Sequence, residues 1–155
     1  MSNYLEQMLN GFTHTRIDTP PIRLKHYPHL IGGESDLWDM FLLMYPNFFS
    51  SVSYDVRVGN GVPIKQEWES PIQKMARDLS QKRIDVIGEK DGVLWIIELK
   101  IDPTIRIIGQ LEGYSILFLN QLGKQIKIRL TMIANKMDGD LQTVLTAKKI
   151  EWFVV

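Results

Sequence analysis

With 155 residues, 45% of them hydrophobic and 10% aromatic, the chain can bury one sizeable core, is too short for two ordinary domains, and does not have the composition of a disordered protein. Its 18 Lys and Arg equal its 18 Asp and Glu, so it lacks the overall basic excess that tight phosphate binding usually leaves. Cysteine is absent, which excludes disulfides and thiolate metal ligation. No apolar run reaches the roughly 18 residues of a membrane span and the start has no secretory pattern, so a soluble, cytoplasmic protein without membrane partners is expected.

Residues 1–30, with Pro20-Pro21 and Pro28, read as an N-terminal arm holding at most a short helix and an extended stretch; residues 31–155 read as a single domain. His14, His26 and His29 all fall in the arm. Without cysteine or a nearby acidic pair they read as ordinary surface histidines, not as zinc ligands. Glu34 or Ser35 opens a helix to about Tyr45, with Leu37, Met40, Phe41 and Met44 at helical spacing. Ser51 to Val58 alternates as a strand and ends at Gly59-Asn60-Gly61. Ser70-Pro71-Ile72-Gln73 has the form of a capping box with proline at the first helical position, predicting a short helix to about Leu79.

The segment from Arg83 to Lys100 carries the chemistry. Asp91-Gly92 is a two-residue hairpin signal between runs rich in β-branched and aromatic residues. Closing the turn there pairs Lys90 with Val93 and sets Asp85 opposite Glu98. Because side chains alternate along a strand, Arg83, Asp85, Ile87 and Glu89 share a face with Leu94, Ile96, Glu98 and Lys100. Like charges opposite each other repel, and Val93 to Leu99 is apolar enough to be buried on both faces. Two readings follow: a divalent metal ion offsets the two carboxylates, or Arg83 and Lys100 neutralise them in a solvated charge cluster.

After Lys100, Asp102 has the character of an N-cap and Pro103 suits a first helical turn. In the predicted helix, Ile105 to about Asn120, Arg106, Gln110 and Tyr114 form one polar stripe by their four-residue spacing, and the stripe begins beside the strand end that carries Glu98 and Lys100. Gln125 to Ala134 then reads as a strand, Asp138 to Lys148 as a helix and Ile150 to Val155 as a last strand. The order predicts an α/β (α+β) fold in which a central mixed β-sheet is flanked by helices, with a right-handed crossover after the hairpin. No phosphate-binding glycine loop and no nucleophile elbow occurs.

The ordered set Arg83-Ile84-Asp85, Asp91-Gly92, Ile97-Glu98-Leu99-Lys100 and Gly109-Gln110-Leu111-Glu112-Gly113-Tyr114 resembles the PD-(D/E)xK nuclease superfamily, and within it the NucS-like and RecB-like branch. Gly33-Glu34-Ser35-Asp36-Leu37 is similar to that branch's first core helix. The resemblance runs from about Gly33 to the C-terminus and implies a restriction-endonuclease-like core. It implies a nuclease that hydrolyses phosphodiester bonds in nucleic acid, DNA ahead of RNA. Asp85 and Glu98 would hold Mg²⁺ or Mn²⁺, with the Leu99 backbone carbonyl as third ligand; oxygen donors suit these ions. Lys100 would orient the attacking water, and Gln110 and Tyr114 would position the phosphate or support the metal shell. Glu34 is an additional acid, with Asp36 as rival and helix capping as the competing role for either. Arg83 and Arg106 are candidate nucleic-acid contacts. The first Asp follows Arg-Ile rather than Pro, and no separate DNA-binding domain is evident in the first thirty residues.

Two other classes fit the sequence. One is a catalytically silent nuclease fold that binds nucleic acid, favoured by the neutral charge and opposed by intact Asp85, Glu98 and Lys100. The other is a structural or assembly module, as a homodimer or in a larger complex, suggested by the apolar end Trp152-Phe153-Val154-Val155.

Overall fold

The hairpin centred on Asp91 and Gly92 organises the sheet. Both turn residues adopt positive φ, 52° and 75°, as a type I′ turn requires. They join β3 (Lys82–Lys90) to β4 (Val93–Lys100) in the register that pairs Lys90 with Val93 and Val86 with Ile97. The computed structural model describes residues 3–155; Met1 and Ser2, at the start of the predicted arm, lie outside the described residues. On one side of the hairpin, β2 (Ser51–Val58) and the short β1 (Ile17–Asp18) continue the sheet in antiparallel fashion. On the other, β5 (Ile128–Ala134) and β6 (Glu151–Val154) add in parallel. The result is one mixed six-stranded sheet whose spatial order follows the chain order. This is the α/β architecture expected from the sequence.

The parallel pairings require crossovers, and helices supply them. α4 (Arg106–Leu122) links β4 to β5, and α5 (Gly139–Ala147) links β5 to β6. α4 buries Ile107, Ile108, Leu111 and Phe118, and α5 buries Leu141 and Leu145, in a cluster shared with α1 (Tyr4–Met8) and with Ile87, Leu94 and Ile96 of the sheet. The opposite face is covered by α2 (Gly33–Met44) over Val52, Tyr54, Val86, Ile97 and Leu99. Among the described residues, no helix is long and apolar enough to cross a membrane.

Three local expectations are corrected. α2 buries Leu37, Trp38 and Phe41, whereas Met40 and Met44 are exposed, because Trp38 stacks on Phe41 and donates its indole N–H to the Tyr54 hydroxyl. α3 (Ser70–Ser80) takes Ser70 as its first residue and Pro71 as its second, with Glu69 at the N-cap and no capping box; Gln73 turns back to donate to the Trp68 carbonyl. Asp102 does not cap α4, whose N-cap is Ile105. Asp102 stays in the preceding loop, exposed and paired with Lys136 of the loop after β5, and the helix begins three residues beyond Pro103.

Gly88 is a point where the packing admits no side chain. A Cβ there would lie 2.6 Å from Phe49 Cδ1, and Phe49 is itself buried among Phe41, Phe48 and Trp95. Gly88→Ala is expected to cost about 1–3 kcal/mol by overpacking, read as a lower urea midpoint at unchanged m-value.

Candidate active site

Asp85 and Glu98 are placed by the hairpin register one step beyond its last paired residues, Val86 and Ile97. There, side chains replace the ladder. The Leu99 N–H donates to Asp85 Oδ2 at 3.0 Å, and the Asp85 N–H donates to Glu98 Oε1 at 3.4 Å. Both residues are buried, Glu98 completely. Gln110, in the second turn of α4, donates its amide to Glu98 Oε2 at 2.6 Å. Of the predicted polar stripe of α4, Gln110 therefore meets the acid pair and Tyr114, one turn on, lines the same cleft.

Burial pushes the Asp85 carboxyl up, with the Leu99 N–H pulling the other way. Glu98 is pushed well above the usual carboxylate range, first by burial and then by the Asp85 charge. The two carboxyls hydrogen-bond to each other, so without a cation the pair favours holding a proton between them. Tyr114 is also pushed up, by burial and then by the Glu98 and Asp85 charges.

The cleft has a volume of about 330 Å³. Lys100 stands at its edge with Nζ 3.6 Å from Glu34 Oε1, so the first turn of α2 delivers its acid to the same site. Asp36 is exposed and lies away from the cleft lining. Arg83 also lines the cleft, but its guanidinium grips Asp55 with two bonds, Nε to Oδ1 at 2.6 Å and Nη2 to Oδ2 at 2.7 Å. Arg106 is exposed and outside the cleft.

Two residues here were given no role in the site from the sequence. Asp55 is buried in β2 with φ 53°, an uncommon conformation for a strand residue. Its signal was a lone acid within the alternating Val52, Tyr54, Val56 pattern. His29, read from sequence as a surface residue, lines the cleft with Nε2 3.8 Å from Asp85 Oδ1. Its signal was only the pair of histidines around Tyr27-Pro28. His14 lies elsewhere, with Nδ1 3.1 Å from the Ser53 hydroxyl.

Among the described residues no group of three or more His, Cys, Asp or Glu side chains gathers to hold a metal ion. The acid pair itself offers carboxylate oxygens, the donor type that Mg²⁺ takes together with water.

No protein-family model and no curated protein matches the chain. Among solved structures it is similar to a repair endonuclease from Pyrococcus abyssi, at 16% identity and TM-score 0.48, over 85% of this chain and 49% of that one. It is also similar to EndoMS in a complex with double-stranded DNA, at 15% identity and TM-score 0.46, over 86% of this chain and 49% of that one. The chain thus spans about half the length of these structures.

The buried acid pair has a measurable consequence in chelator. A carboxyl with a raised folded pKa contributes stability below its unfolded value, 4.5 for Glu98, and loses it as pH rises through the folded value. Glu98→Gln is therefore expected to melt above wild type at neutral pH in EDTA, with the gap closing toward pH 4.5, by roughly 2–4 °C for each kcal/mol of relieved repulsion. Thermal melts of both proteins across pH check it, and a wild type that is the more stable at neutral pH would contradict the assignment.

Proposed function

We propose that this protein is a metal-dependent nuclease that hydrolyses phosphodiester bonds in nucleic acid, with DNA as the substrate that the motif resemblance implies. The observation that carries the reading is one open cleft lined by Asp85, Lys100 and Gln110, with the fully buried Glu98 held beside it by the Gln110 amide and the Asp85 N–H. Asp85 and Glu98 would hold Mg²⁺ or Mn²⁺ together with the Leu99 carbonyl. When bound, the ion supplies charge neutralisation at the phosphate and acidifies water.

The remaining roles belong to the chain. Lys100 orients the attacking water, and Glu34 limits where its ammonium can point. Gln110 holds the Glu98 carboxylate in one orientation through a single amide hydrogen and can offer its other to a phosphate oxygen. Tyr114 lines the same cleft. Its raised pKa keeps it a donor across the neutral range.

The test is cleavage of labelled single-stranded, duplex, flap and RNA substrates with Mg²⁺, with Mn²⁺ and with EDTA. Cleavage is expected only with the ions. Lys100→Ala is expected to lose about 10²- to 10⁴-fold in rate, and Glu98→Gln to lose cleavage together with metal affinity, while both keep the wild-type circular dichroism. A silent binding module predicts the opposite pattern: equal, metal-independent binding by all three proteins, and no cutting of any substrate.

A further inference from the structure

Among the cleft residues to which the proposed chemistry gives no task, His29 stands within ion-pair distance of Asp85. His29 comes from the arm, far in sequence from the hairpin, yet its Nε2 lies 3.8 Å from Asp85 Oδ1. That separation is beyond hydrogen-bond reach, so Nε2 is not spent on the carboxylate. It is directed into the space that Lys100, Gln110 and Tyr114 also line.

The placement is enforced. His29 adopts φ 66°, a conformation that costs free energy and persists only where the surroundings fix it. On one side the buried Tyr27 donates its hydroxyl to Asp39 of α2 and accepts the Leu24 N–H. On the other, Leu30 is buried and its carbonyl accepts the Ser35 hydroxyl. The chain is thus pinned to α2 immediately before and after His29, and the left-handed turn between the pins aims the imidazole at the acid pair.

Resting on the nuclease reading, we propose that His29 is a further catalytic residue, contacting the scissile phosphodiester as a hydrogen-bond donor from the wall of the cleft formed by the arm. A phosphate brought to Asp85 and Glu98 meets Nε2 on one side and the Lys100 and Gln110 side chains on the others. A donor aimed at a phosphate oxygen stabilises charge that builds there in the transition state.

Two substitutions separate reach from strain. Asn tolerates the left-handed backbone but is too short to put an amide where Nε2 sits; Gln restores the reach and keeps a donor. His29→Asn is expected to lower kcat/KM on an oligodeoxynucleotide about 10- to 100-fold, and His29→Gln to stay within several-fold of wild type. As an independent readout, the imidazole resonances of ¹⁵N-histidine-labelled protein are followed as the same oligodeoxynucleotide is added with Ca²⁺. His29, assigned through its loss in His29→Gln, should shift while His14 does not.

Wild-type activity in His29→Asn, equal loss in both variants, a His29 resonance unmoved by bound oligodeoxynucleotide, or no binding at all would each overturn the proposal. Binding that shifts His29 without cleavage by wild type would remove the nuclease reading and leave the contact standing.

Discussion

Two carboxylates buried side by side at the open end of a hairpin are the constraint around which this molecule is arranged. Removing an ionised carboxylate from water costs several kcal/mol even after relaxation, and a second one within contact adds repulsion. The structure offsets this with main-chain donors: the ladder stops pairing at Val86 and Ile97, and the amides of Asp85 and Leu99 turn to the carboxylates. The opening of the strands and the solvation of the acids are thus one event. A hairpin paired to its ends would leave Asp85 and Glu98 without these partners.

Each neighbouring element contributes a compensating group. The loop between β4 and α4 is short enough that Gln110 reaches back to Glu98. The start of α2 brings Glu34 to Lys100, and the arm, held to α2 through Tyr27 and Asp39, brings His29. Across the sheet, Asp55 holds Arg83, whose positive charge also acts on Asp85. Five separate segments meet at one end of the sheet, which is why a site assembled there inherits the rigidity of the whole core.

What could be read from the sequence divides along the range of the interactions. The hairpin register is local, fixed by a turn dipeptide and a period of two, and it brought Asp85 to Glu98 without reference to the remainder of the chain. The helix that follows the strand carried Gln110 and Tyr114 for the same reason. Expectations failed where a distant partner intervened. The α4 N-cap fell at Ile105, leaving Asp102 in the loop beside Lys136, and the buried face of α2 rotated toward Trp38 because an aromatic cluster, including Phe49 and Phe153, was available to pack against it. His29 and Asp55 were hidden because tertiary packing positions them, and neither stands in a motif.

The charges of the cleft also bear on how a neutral chain could act on a polyanion, as the proposed function requires. Arg83 is matched by Asp55 and Lys100 by Glu34, so the basic groups nearest the acid pair are already partnered. Burial disfavours the charged forms of Asp85 and Glu98, and Lys82 adds a further cation to the cleft lining. On the proposed reading, a divalent cation held by the acid pair would supply the positive charge that attracts a phosphate, so the loaded site would need no basic surface beyond it.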